Sequence, residues 1–192
     1  MPAPGARVNG IQRPWTSEFV ACLLLELVWD CLYFASGPSV DAVFVCYCCL
    51  IGAGTLLYAH LVTVDPCSPS RVPQIRRRHG DDRYCSRCKK IVPGLDHHCV
   101  WLNTCVGKWN YTHFLCLAVI QCVTQCLRFF VCVNELILKA DGDRSGICDE
   151  EACSKAVWVF QVVAATILLG GYTSLVGFHS YLLKEGIGTY DW

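Results

Sequence analysis

Apolar residues run along this chain in long, uninterrupted stretches, without the alternation that marks an element with one buried face. A bilayer core of about 30 Å takes about 20 apolar residues in helical form. Four stretches reach that scale: Phe19 to Ser36, Ala42 to Val64, His113 to Leu138 and Val157 to Leu183. The pattern predicts an all-α integral membrane protein with four transmembrane helices and one long polar loop, residues 65–112, between helices 2 and 3. Residues 1–18 form the N-terminal segment, 139–156 a second loop and 184–192 a tail. The Pro-rich start "MPAPGARVNGIQRPW" is not followed by a short apolar core and a small-residue cleavage site, so a cleaved signal peptide is not expected.

Net charge is zero, so nothing in the total favours a nucleic-acid partner. The distribution says more. The 65–112 loop carries Arg71, Arg76, Arg77, Arg78, Arg83, Arg87, Lys89, Lys90 and Lys108, whereas 139–155 is acidic. By the positive-inside rule the basic loop is cytosolic, and an even number of spans then puts both termini there as well. The Arg76–Arg78 run reads as a topology signal or a contact with anionic lipid.

The sixteen cysteines divide by compartment. Those in the apolar stretches read as small buried hydrophobes. Cys148 and Cys153 fall in the expected luminal loop, where a disulfide is permitted. Cys67, beside the membrane, is a candidate for lipidation. Cys85, Cys88, Cys99 and Cys105 lie in the reducing cytosol, where clustered thiols bind metal or do chemistry.

Cys85 and Cys88 have the C-x2-C spacing of a zinc knuckle, and His98 and Cys105 follow closely. Together they make a Cys3His set, a closed tetrahedral site for structural zinc. In an extended segment successive side chains alternate sides. With His98 on the metal, His97 and Cys99 share the other face, where a histidine beside a cysteine makes a thiolate nucleophile. Asp96 can orient that imidazole as the acid of a triad does. Spacing leaves one alternative open: Cys99 is itself a ligand, since five candidates compete for four positions. A nucleophile at the start of the third helix suits a substrate with its head in water and its tail in lipid.

These residues resemble a known family. Asp96-His97-His98-Cys99, followed by Trp101, Asn103, Cys105-Val106-Gly107, Asn110 and Phe114, is similar to the motif of the DHHC-type protein S-acyltransferases, or palmitoyltransferases. The resemblance runs over nearly the whole chain, with weaker likeness in "VNG" near the start and "FHSYL" in the last helix. It implies a ping-pong reaction. Cys99 takes a fatty acyl group from acyl-CoA (palmitoyl-CoA) as a thioester, then passes it to cytosolic cysteines of membrane-associated proteins. It implies His97 as base, Asp96 as its orienter, His98 as a zinc ligand, and residence in an endomembrane or the plasma membrane.

Three departures accompany the likeness. The family carries two zinc sites, but the positions of the other one hold Tyr84 and Ile91 and its upstream C-x2-C is missing, so one zinc ion is expected. Cys67 and His79 are poor substitutes. The family's Asp-Pro-Gly stands here as Asp65-Pro66-Cys67, and its Thr-Thr-x-Glu as Gly188-Thr189-Tyr190-Asp191, in which Thr189 keeps a hydroxyl that could reach the catalytic Asp. The sequence ends at Trp192, ahead of the family's C-terminal motif.

Within the apolar stretches, Glu26 and Asp30 are one helical turn apart. Arg128 lies at a similar depth in the third stretch, so an Asp30–Arg128 ion pair is expected. The other possibility is protonated acids bonded to Gln121, Gln125 or Thr173. Gly52, Gly54, Gly170, Gly171 and Gly177 are expected to permit close helix approach or to line an acyl-chain cavity. Three functions compete: an S-acyltransferase, a catalytically impaired zinc-stabilised membrane adaptor of the same family, and a metal transporter. The last is weakest, because the polar residues do not form a continuous path.

Overall fold

The computed structural model describes residues 5–35, 42–74, 82–142, 149–190 and 192, with side chains at 139–142 and 149–154 left aside. The expectations for Arg76–Arg78, His79, Cys148, Asp191 and the Cys153 side chain lie outside the described residues.

Four helices form: α1 (Ser17–Ala35), α2 (Ala42–Thr63), α3 (Tyr111–Gly142) and α4 (Asp149–Glu185). Three helical stretches are long and apolar enough to cross a membrane: Ala42–Thr63, Tyr111–Leu138 and Lys155–Glu185. α1 is shorter, at 19 residues, and carries Glu18, Glu26 and Asp30. Residues expected as a 139–156 loop are partly helical, because α3 continues to Gly142 and α4 begins at Asp149. Hydropathy marks where the apolar run stops, whereas i to i−4 hydrogen bonding carries on through polar sequence.

α3 packs along both α4 and α2. The glycines expected to allow close packing do not do so. Gly52, Gly170, Gly171 and Gly177 face open space, and a Cβ at Gly54 would make only ordinary contact with Ile120. Tyr33, Tyr47, Cys132 and Trp158 close the end of the bundle remote from the polar loop. Just inside that end, Arg128 forms an ion pair with Asp30 and donates to the Tyr47 hydroxyl, joining α3 to α1 and α2.

The all-α expectation needs one correction, since the polar loop holds four three-residue strands: β1 (Arg83–Cys85), β2 (Lys90–Val92), β3 (His97–Cys99) and β4 (Thr104–Val106). They pair as two separate antiparallel hairpins, β1–β2 and β3–β4. Gly107 lets the hairpins cross closely, because a Cβ there would sit 2.8 Å from the Pro93 carbonyl oxygen. Asn110 then starts α3: its Oδ1 accepts from the Gly107 amide at 2.8 Å, and its Nδ2 donates to the Cys105 carbonyl at 2.9 Å.

Residues 5–16 fold back over the loop as a strap. The Gly10 amide donates to the Val62 carbonyl at 2.8 Å, and Thr16 Oγ1 to the Val100 carbonyl at 2.7 Å. Gly10 is required here, since a Cβ would meet the Leu102 carbonyl oxygen at 2.3 Å.

Candidate active site and metal centre

The register of β3–β4 sets His98 directly opposite Cys105. Directly opposed side chains point to the same face of an antiparallel pair. The β1–β2 hairpin brings Cys85 at the end of β1 and Cys88 in its turn to that face, and Lys89 takes a left-handed φ of 54° to close the turn. The four donor atoms lie within 4.8 Å of one another. His98 Nδ1 is 3.6 Å from Cys85 Sγ, 3.4 Å from Cys88 Sγ and 3.6 Å from Cys105 Sγ, and Cys105 Sγ is 3.4 Å from Cys88 Sγ.

A zinc tetrahedron with Zn–S of about 2.3 Å and Zn–N of about 2.0 Å spaces its donors about 3.5–3.8 Å apart. The cluster therefore fits zinc in both donor chemistry and size. Burial alone would lower the His98 imidazole pKa, but its bonds to Cys85 and Cys88 raise it to about 9, so the pocket around Nδ1 favours positive charge. Among the described residues this is the one Cys/His cluster of that size. Tyr84 and Ile91 face each other across β1–β2 and are largely exposed. Cys67 packs at the edge of the cluster, with its sulfur 3.4 Å from the Ile91 carbonyl.

The other face of β3 turns toward the helices. His97 Nδ1 meets Asp96 Oδ2 at 2.8 Å. Asp96, 3% exposed, also accepts from the Thr189 amide at 3.0 Å and from Thr189 Oγ1 at 2.8 Å. Burial would raise the Asp96 carboxyl pKa, but the bonds from His97 and Thr189 hold it well below the usual carboxylate range. Burial would likewise lower His97, but bonds with Asp96 and Cys99 raise it to about 9.

Cys99 is buried beside Phe19 of α1, Leu61 of α2 and Phe114 of α3, with Leu175 and Leu183 of α4 packed against the same cluster. The structure thus separates the predicted residues onto two faces. Cys85, Cys88, His98 and Cys105 gather on one, and Asp96, His97 and Cys99 on the other. Such an arrangement can hold a cation on the first face. On the second it can hold a thiolate beside an imidazolium, against an apolar interior.

Two neighbours carry no sequence prediction. His179 of α4 lies 5.8 Å from His97 between ring centroids, and its Nδ1 is 3.0 Å from the Tyr111 hydroxyl. Its only sequence signal is its place in "FHSYL", far along the chain from the motif. Asp65 bridges Lys90 Nζ at 2.7 Å and the Cys67 amide at 2.9 Å, which fixes the end of α2 against β2.

The family model for DHHC palmitoyltransferases matches residues 66–192. The chain is 31% identical over 143 residues to an Arabidopsis thaliana protein named probable protein S-acyltransferase 16, covering 67% of this chain and 48% of that one. It is 32% identical over 108 residues to human palmitoyltransferase ZDHHC2, covering 56% of this chain and 28% of the relative. It is 28% identical over 131 residues to palmitoyltransferase SWF1 of Saccharomyces cerevisiae, covering 64% and 32%. The chain therefore spans about half or less of the length of the curated relatives it matches. With two thirds of its length under the family model and the Asp-His-His-Cys run inside that stretch, the chain belongs to the DHHC palmitoyltransferase family.

Proposed function

We propose that this chain is a protein S-acyltransferase that takes a fatty acyl group from acyl-CoA onto Cys99 and passes it to cysteine thiols of membrane-associated proteins. The observation that carries this reading is the position of Cys99. Its thiol shares a face of β3 with His97, whose imidazole it helps to hold protonated, and its surroundings are apolar side chains from all four helices. A lipid tail lying in the bundle would present its thioester at that sulfur. The relatives' names point to palmitate as the acyl group.

In the first step His97 holds the proton of Cys99 and the thiolate attacks the carbonyl carbon of the acyl-CoA thioester. The new S–C bond forms as the bond to the CoA sulfur breaks, and the CoA thiolate leaves with the proton from His97. In the second step the substrate cysteine gives its proton to His97 and its sulfur attacks the acyl carbon. Cys99 leaves as thiolate and recovers the proton. Asp96 keeps His97 Nδ1 engaged, so that Nε2 serves the sulfur. Thr189 holds Asp96 in place from the segment after α4. Zinc at Cys85, Cys88, His98 and Cys105 would lock the two hairpins together. Every transfer step belongs to the residues on the opposite face.

In this reading α1 is a fourth span, its Asp30 neutralised by Arg128. The basic loop and both termini face the cytosol, as the Lys/Arg bias favours, and the membrane is an endomembrane or the plasma membrane. Partners are acyl-CoA, lipid and protein substrates with cytosolic cysteines near the bilayer.

The test is incubation of the purified chain with labelled palmitoyl-CoA. A hydroxylamine-sensitive label lost in Cys99→Ala is expected. General-base catalysis contributes about 10²–10⁴-fold, so His97→Ala should slow labelling by that factor while retaining zinc. His98→Ala should lose zinc, since metal binding and folding are coupled. Loss of zinc in Cys99→Ala would make that residue a ligand and favour the adaptor reading.

A further inference from the structure

Arg7 is 5% exposed, although it belongs to a polar N-terminal segment with no apolar run around it. Its amide donates to the Cys88 carbonyl at 2.9 Å. Its guanidinium Nη1 donates to Asn103 Oδ1 at 2.7 Å and to the Pro14 carbonyl at 2.8 Å. Nη2 reaches Cys88 Sγ at 3.7 Å. Asn103 is held in turn, at a left-handed φ of 51°, by donating Nδ2 to the Gly10 carbonyl at 2.8 Å. A cation carried on the strap is thus inserted against one sulfur of the Cys3His cluster.

We propose that Arg7 is the outer-sphere counter-cation of the zinc centre, and that it binds the N-terminal strap to the metal-loaded loop. This rests on reading Cys85, Cys88, His98 and Cys105 as a zinc site. Three thiolates and a neutral imidazole around a dication leave one net negative charge. A buried charge is costly unless a partner neutralises it. The other nearby cations are committed or remote: Lys90 pairs with Asp65, and Arg87 and Lys89 point to solvent. A metal-ligating histidine commonly donates its second ring nitrogen to an outer-shell acceptor. His98 Nε2 is buried and finds no such partner among the described residues. Beside the Cys88 amide, which reaches Cys85 Sγ at 3.4 Å, side-chain support of the cluster therefore comes through Arg7. The relation is reciprocal. The strap is held through Cys88 and Asn103, so it depends in turn on the loop that the metal orders.

The test measures zinc retention by the full chain in detergent micelles, by competition with a chromogenic chelator after the bound metal has been counted. Wild-type protein without zinc would refute the metal reading itself, separately from the role of Arg7. With zinc present, Arg7→Gln should weaken retention by about 10–100-fold, the range for lost outer-shell partners, and Arg7→Lys should stay within about threefold of wild type. Asn9→Ala removes a strap bond to the Thr63 carbonyl away from Arg7 and should retain zinc as wild type does. Wild-type retention in Arg7→Gln overturns the proposal. So does Arg7→Lys releasing zinc as fast as Arg7→Gln, or Asn9→Ala releasing it equally fast, because then strap docking and not the charge is what counts.

Discussion

Asp30→Asn tests how the helices are held together. Arg128 is 1% exposed and sits among Trp29, Tyr33 and Tyr47, with its guanidinium carbon 5.2, 5.5 and 5.3 Å from their ring centroids. Its charge partner is Asp30, and its Nε donates to the Tyr47 hydroxyl at 2.6 Å. The Asn variant keeps the shape but removes the negative charge, which leaves the guanidinium buried without its ion-pair partner. Removing one member of a buried pair costs about 3–5 kcal/mol. For a chain of this length 1 kcal/mol moves the melting temperature by about 2–4 °C, so a drop on the order of 10 °C is expected. The opposite truncation, Arg128→Met, should cost less. It fills similar volume, and it leaves behind a carboxylate that is 27% exposed rather than a fully buried charge. The double variant should then lie near Arg128→Met alone, giving a coupling about as large as the Asp30→Asn cost itself, about 3 kcal/mol or more, at the top of the range seen for residues in contact. Melts of the four proteins in one detergent measure it. A double variant equal to the sum of both singles would show that the residues do not interact and that α1 is held by packing alone.

Metal analysis of the purified chain should find one zinc per molecule, because one Cys3His cluster is complete among the described residues; a ratio near two would refute that count. Thr189→Val removes the hydroxyl bond to Asp96 and keeps the amide bond. At about 1.5–3 kcal/mol for a hydrogen bond to a charged group, it should slow acylation of Cys99 by about tenfold or more, and Thr189→Ser should restore it. His97 titrates at about 9 in the folded chain, against about 6.5 unfolded. Its raised value stabilises the fold fully below about pH 6.5 and is lost as pH rises through 9, about 3 kcal/mol in all. Melts of zinc-loaded protein across that window should show the loss in wild type and not in His97→Gln, and parallel curves would refute it.

The two faces of β3 were legible in the sequence because extended backbone has a period of two, and because Cys85, Cys88, His98 and Cys105 are close along the chain. Residues near in sequence have few ways to be arranged. The Asp30–Arg128 pair was legible for a different reason: a charge in lipid must find a partner, and depth narrows the choice. The strap was not legible. Arg7 meets Cys88 and Asn103 from 81 and 96 residues away, and nothing local to "ARVNGIQ" signals burial. His179 was hidden likewise, 68 residues from the Tyr111 it bonds. Glycines misled, because small residues in apolar helices permit close packing without requiring it, and four of the five face open space. Helix ends were missed because hydropathy reports the membrane and not the backbone.

The positions at which the family resemblance places a second metal site show what a local sequence change does to such a loop. Tyr84 and Ile91 stand where the family resemblance places ligands, and the structure makes them direct partners across β1–β2. An aromatic residue facing a β-branched one across a hairpin contributes about 0.2–1 kcal/mol. A structural zinc contributes about 10–16 kcal/mol to the folding of a small metal domain, so the pair is no energetic replacement. What remains must come from contacts that tie the β1–β2 hairpin to other parts of the chain. Four such contacts are present: Lys90 to Asp65 and to the Val8 carbonyl, Cys67 against Ile91, and Arg7 against Cys88. Two of these run to the N-terminal strap and two to the segment after α2. The hairpin is therefore braced by the segments before α1 and after α2, and a metal held by Cys85, Cys88, His98 and Cys105 would carry the rest of the load on the face away from Cys99.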